Sequence, residues 1–120
     1  MKHNYKNLSI WKDAIDLSIE IYNSTKSFPF DERFGLTSQI RKAGVSIPSN
    51  IAEGAGRNTN NDFAHFLSIS IGSSCEVITQ LIIAKRLGYL DEKRFQELSD
   101  KTESIQRRAV SLQNSLRTSN

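Results

Sequence analysis

Cysteine, histidine and proline are scarce in this sequence, and each shortage removes a class of chemistry. Cys75 is the single cysteine, so no internal disulfide and no thiolate zinc site can form. A lone cysteine on a helical stretch is expected as a small buried thiol. Of the two histidines, His3 falls in an N-terminal arm and His65 near a helix start. A di-iron bundle needs two Glu-x-x-His pairs and two further inward glutamates, whereas Asp62 and His65 make one Asp-x-x-His. No metal and no cofactor is expected. The same shortage leaves a Ser-His-acid triad without support. The stretch "GAGR" lacks the spacing and the Lys-Ser/Thr ending of a phosphate loop. Enzyme activity is therefore not expected.

Long apolar runs are missing too. No run of about 18 apolar residues occurs, and the N-terminus "MKHNYKNLSIWKDAID" breaks its apolar residues with lysine and aspartate. This argues against a membrane span and a secretory signal, and leaves the cytoplasm as the expected compartment. Pro29 and Pro48 are the only prolines. No segment alternates with period two, so the β-branched residues belong to helices.

What is present reads as one all-α domain over residues 1–120. Hydrophobic residues make up 38% and charged residues 24%, a balance that favours a folded core over disorder. The clearest helix is predicted at 91–116. Phe95, Leu98, Thr102, Ile105, Ala109, Leu112 and Leu116 step by three and four along one face. Asp91 and Glu92 open it, as the helix dipole favours. Glu97 with Lys101, and Glu103 with Arg107, are spaced for pairing within the helix. A helix at 60–87 opens at "TNND", where Thr59 and Asp62 have capping-box spacing. Its seam is Phe63, Leu67, Ser70, Ser74, Val77, Leu81 and Ala84, and Gly88 ends it. A helix at 8–26 turns Leu8, Trp11, Ile15, Ser18, Ile21 and Tyr22 inward. A helix at 37–56, capped by Thr37, buries Leu36, Ile40, Ala43, Ile47 and Ile51. The tail from Arg117 to Asn120 is expected to fray. Four such helices with short connections predict an antiparallel up-down-up-down four-helix bundle.

The second helix carries an oddity, "SIPSNIAEGAGR" at 46–57. Pro48 cannot donate to the carbonyl of Gly44, and its ring crowds that turn. A bend is expected there, with Gly44 easing it and Ser46, Ser49 and Asn50 bonding to freed backbone groups. Ala52, Gly54, Ala55 and Gly56 allow a neighbouring backbone to come close. Glu53 stands four residues before Arg57, spaced for an ion pair rather than for acid-base chemistry.

Three stretches, "LSIWKDAIDLSIEIYNSTKSFP" (8–29), "FGLTSQIRKAGVSIPSNIAEGAGR" (34–57) and "FAHFLSISIGSSCEVITQLIIAKRLGYL" (63–90), together resemble the bacterial 23S rRNA intervening-sequence protein family across nearly the whole chain. The signature positions are Arg41, Pro48, Asn50, Glu53, Gly54, Arg57, Gly72, Ser73 and Glu76. The resemblance implies a left-handed bundle and assembly into five-membered rings. It also implies no catalytic residue. Some members of that family are encoded within insertions in ribosomal RNA genes. Relatives serve diversity-generating retroelements as accessory proteins that bind nucleic acid and a reverse transcriptase.

Charge gives the expected site. The net charge is +3. Residues 1–100 carry 12 cations and 12 carboxylates, so the excess lies in Lys101, Arg107, Arg108 and Arg117, set against Glu103. Arg94, Lys101 and Arg108 recur every seven residues on one stripe, and Lys85, Arg86 and Lys93 gather near the preceding turn. These eight cations are the candidate contacts to the phosphates of structured RNA or DNA, with Arg41, Lys42 and Arg57 next in line. No aromatic residues interleave with them, so base stacking is not expected there. Ile71, Ile78 and Ile82 form an apolar stripe beside the main seam, either a surface for self-association or packing against the first helix. The expected function is that of a non-enzymatic homo-oligomer binding nucleic acid as an accessory factor. The alternative is a scaffold for a nucleic-acid-processing protein, without nucleic-acid contact of its own.

Overall fold

The computed structural model describes residues 3–118. Four long helices carry the chain: α1 (Ser9–Thr25), α2 (Leu36–Ala55), α3 (Asn60–Arg86) and α4 (Glu92–Thr118). Short 3-10 turns precede α1 at Tyr5–Asn7 and α2 at Phe30–Glu32, and no strand occurs among the described residues. The body measures 47 × 22 × 20 Å. Each of α1 and α3 touches both α2 and α4, while α1 and α3 do not meet.

Helix ends follow local chemistry. The Thr59 hydroxyl accepts from the Asp62 N–H at 3.1 Å, as its spacing predicted. Gly88, at φ 81, closes α3. Its N–H bonds to the Lys85 carbonyl, and that of Tyr89 to the Ala84 carbonyl, the two bonds of a Schellman turn. The Asp91 carboxylate accepts from the Arg94 N–H at 2.7 Å. Thr37 does not cap α2. It lies inside the first turn, buried, and the Glu32 carboxylate accepts from the Leu36 N–H instead. A carboxylate from the preceding turn satisfies the same orphan donors with a favourable charge. At the other end Arg117 and Thr118 continue α4, contrary to the expected fraying; Ser119 and Asn120 lie outside the described residues.

The inward faces of α2 and α3 match their predicted seams throughout. In α4, Leu98, Thr102, Ile105, Ala109 and Leu116 are buried, with Phe95 and Leu112 packed at the margin. α1 meets expectation in part: Ser18 and Ile21 are buried, and partly buried Leu8 and Trp11 pack against the core, as predicted. Tyr22 turns outward, and Ile10, Ala14 and Leu17 complete the core face instead. Cys75 also departs from expectation: it is exposed, and its sulfur accepts from the Gln106 amide at 3.2 Å.

α2 runs through Pro48 as one helix. The carbonyl that Pro48 frees, on Gly44, is filled from outside the helix by the Ser18 hydroxyl at 2.8 Å. Neither Ser46 nor Asn50 bonds to it. Asn50 bonds to the Ser46 carbonyl and hydroxyl. A Cβ at Gly44 would stand 2.9 Å from Ile21 Cδ1, so the glycine keeps α1 near enough for that hydroxyl. Ser18→Ala should leave the carbonyl buried and unpaired, at a cost of about 1–3 kcal/mol, read as a lower urea midpoint with unchanged m-value.

By length and composition α3 is apolar enough to cross a membrane. In this fold it is the helix that packs between α2 and α4.

Candidate nucleic-acid interface

The stripe of cations on α4 is real, but it faces α1. Lys101 Nζ bonds to Glu20 Oε1 at 2.6 Å. Arg108 bonds to Asp13 at 2.7 Å and to the Ser9 hydroxyl at 3.0 Å. Arg94 reaches Ser24 at 2.6 Å and lies 3.5 Å from Glu20. The stripe is thus one half of a charge ladder between helices, and a phosphate would compete with Asp13 and Glu20 for it. Lys101 therefore bonds across to α1 rather than to Glu97. Glu97 lies 4.0 Å from Arg94, and no ion pair joins Glu103 to Arg107 among the described residues. Asp13 and Glu20, like the cations they meet, stand seven residues apart, a match readable only once α1 and α4 are known to be neighbours.

The other candidates fall into two groups. Lys85 pairs with Glu92 across the α3–α4 turn and lies 4.6 Å over the Phe95 ring. Arg86, Lys93, Arg107 and Arg117 are exposed, and no carboxylate partner holds them among the described residues. They remain open to an external anion. The nearby Tyr89 hydroxyl donates to Glu32 at 3.1 Å. That hydrogen bond, with desolvation and the charges of Glu32 and Asp31, raises its pKa above 10.0.

Most signature residues have work inside the chain. Arg41 donates to the Thr25 hydroxyl at 2.8 Å and to the Tyr22 carbonyl at 3.3 Å, and stacks on the Tyr22 ring, fastening α2 to the end of α1. Pro48 is buried. Ser73 donates to Ser46 at 2.8 Å across α2 and α3. Glu53 and Arg57 form the predicted pair at 3.6 Å, both exposed, a contact of little energy. Gly54 admits α3 so closely that a Cβ would stand 2.7 Å from Phe66 Cβ. Two signature residues have no such role. Glu76 is exposed beside the α2–α3 groove, and a Cβ on exposed Gly72 would meet nothing within 4 Å.

Gly72 sits on the outer face of α3, where its helical neighbours Ser68, Ile69, Cys75, Glu76 and Thr79 are exposed. Half-buried Ile71 and Ile78 and exposed Ile82 run about a quarter-turn around the helix from it. α3 has no close backbone approach to α1; Ile71 packs against the margin of the core, Ile78 is half-buried and Ile82 is exposed. No group of three or more histidine, cysteine, aspartate or glutamate side chains that could hold a metal occurs among the described residues.

Comparison with known proteins gives two findings. The model of the 23S rRNA-intervening sequence protein family matches residues 6–111. A crystal structure of a protein of unknown function from the S23 ribosomal protein family of Bacteroides thetaiotaomicron superposes with a TM-score of 0.81. It is 21% identical, covering 88% of this chain and 95% of that one. At that identity the likeness speaks for the fold. No curated protein matches the sequence.

Proposed function

This chain belongs to the 23S rRNA-intervening sequence protein family, and from that premise we propose that it is a non-enzymatic, homo-oligomeric bundle that binds structured RNA or DNA as an accessory factor in the cytoplasm. The observation that carries the nucleic-acid reading is the split among the cations. Arg86, Lys93, Arg107 and Arg117 have no carboxylate partner among the described residues at the surface of α3 and α4, while Arg94, Lys101 and Arg108 are spent on holding α1 and Lys85 on Glu92. Unpaired surface cations bind phosphates by charge and shape, with release of counterions.

The order of cross-links supports the up-down-up-down course. Arg94 meets Ser24 while Arg108 meets Ser9, and Gln106 meets Ser74 while Gln113 meets Ser68. The left-handed turn belongs to the same reading. Gly72 supports self-association. A glycine inside a 27-residue helix costs about 1 kcal/mol relative to alanine, and among the described residues nothing lies within 4 Å of where its Cβ would stand. A bare backbone at Gly72, with exposed Ile69 beside it and the isoleucine stripe about a quarter-turn away, suits a second copy packed helix against helix. A five-membered ring would carry about five times the charge of one chain on a single body, so weak phosphate contacts would add. That same face favours the second reading, a scaffold whose apolar surface takes another protein.

Replacing Arg86, Lys93, Arg107 and Arg117 with glutamine tests the nucleic-acid reading. Affinity for structured RNA and duplex DNA should fall about equally for all sequences. The slope of log K against log salt should flatten by about 0.9 per lost phosphate contact. Unchanged affinity and slope would remove these residues from the interface.

A further inference from the structure

We infer that the corner joining α1 to α2 is a binding site for a single-stranded segment of nucleic acid, with bases stacked on Phe30 and Phe34 and phosphates held by Arg33, Arg41 and Lys42. This rests on the nucleic-acid reading above and moves it to a surface away from the α4 cations. Phe30 is 73% and Phe34 83% exposed, and no core contact explains two bare phenylalanines so close in sequence. The Arg33 guanidinium lies between them, 3.7 Å from the Phe30 centroid and 4.7 Å from that of Phe34. The result is a cluster of two exposed rings around one guanidinium, with ring surface left open to which a base can add.

Beside the cluster an open cavity of about 430 Å³ is lined by Tyr22, Arg33, Thr37, Ser38, Arg41, Lys42 and Val45. That volume lies within the usual range for a small bound group. Three cations line it and no carboxylate does. Glu32 is engaged by the Leu36 N–H and the Tyr89 hydroxyl, and Asp31 is exposed in the turn. Thr37 also lines the cavity. It is only 8% exposed, and its hydroxyl has no hydrogen-bond partner among the described residues. The Arg41 guanidinium lies over the Tyr22 ring at 4.6 Å and bonds to Thr25 and the Tyr22 carbonyl, which fixes it beside the cavity.

The occupant follows from combining flat rings with unopposed cations. An acidic peptide would use the cations but not the open ring faces. A two-fold contact with a second copy would set three cations against three, at a repulsive cost. A single strand alone supplies planar bases and regularly spaced anions together, whereas a duplex keeps its bases stacked inside.

The test measures fluorescence anisotropy with a labelled oligo-uridine strand and a duplex of equal length, for the wild type and for Phe30→Ala/Phe34→Ala. Both rings are exposed, so the variant should keep its helical circular dichroism and its melting curve. Stacking is worth about 1–3 kcal/mol per base, so single-strand affinity should fall at least about five-fold per ring while duplex affinity stays the same. Arg33→Gln with Lys42→Gln should flatten the salt slope for the strand. Equal loss on strand and duplex, or no loss on either, would overturn the site but leave nucleic-acid binding standing. Wild type that binds duplex alone would do the same. Loss of self-association with strand binding unchanged would make the corner a contact between copies. Ring-dependent binding of a poly-glutamate peptide without oligonucleotide binding would assign it to a protein partner. Wild type that binds neither nucleic acid at low salt would overturn this site and the broader reading together.

Discussion

Gly54→Ala is expected to destabilise the fold by roughly 3 kcal/mol, near the top of the range for overpacking, although alanine is the better helix former. The new Cβ would stand 2.7 Å from Phe66 Cβ, 2.9 Å from Phe63 Cδ1 and 3.2 Å from the Phe63 carbonyl. Two of those atoms are fixed to the α3 backbone, so no rotamer change relieves the contact. Phe63, 1% exposed, would have to move, and with it the His3 ring at 5.1 Å. The end of α2 and the start of α3 must then separate. Gly44→Ala makes a useful comparison. Its nearest neighbour is the far end of the Ile21 side chain rather than backbone, so the cost should be smaller. Urea denaturation of the two variants checks the order, and a Gly54→Ala protein as stable as wild type would refute the close approach.

Gly72→Leu is expected to do the opposite to the single chain and to damage the assembly. Leucine is a strong helix former, and there is open space around the position, so the chain should fold as well as wild type or slightly better. If a second copy packs its backbone against Gly72, the added side chain overfills that contact by roughly 1–3 kcal/mol. Self-association should weaken by about 5- to 150-fold, seen by sedimentation equilibrium as a shift toward the monomer mass. Wild type that is monomeric at micromolar concentration would contradict the assembly. An oligomer unaffected by Gly72→Leu would place the interface on another face.

The residues of α2 and α3 announced their buried faces because large apolar side chains recur on one stripe of each helix. α1 was harder to read. Ser18, Ile21 and Trp11 lie on or beside its core face as their spacing predicts, but small Ala14 is fully buried while the larger Tyr22 is exposed, an exchange that side-chain size does not signal. The role of Ser18 as the donor that repairs Pro48 depends on a partner 26 residues away, beyond any local pattern. Thr37 and Thr59 looked alike as caps, and only the position of Glu32 separates them. For the site, the seven-residue spacing of Arg94, Lys101 and Arg108 marked a shared stripe but could not say that Asp13 and Glu20 would meet it. Exposure decided the rest. Sequence shows that Phe30 and Phe34 flank an arginine, and only the fold shows that solvent reaches both rings.

Nucleic-acid binding by this protein requires contact with phosphates, and the salt dependence of wild-type affinity measures that contact directly. Titration of structured RNA and of duplex DNA from about 50 to 200 mM salt should show log K falling linearly with log salt. The slope should be about 0.9 per phosphate neutralised on duplex DNA. No binding at the lowest salt, or an affinity indifferent to salt, would contradict a nucleic-acid function and leave the apolar face of α3 as the working surface of the protein.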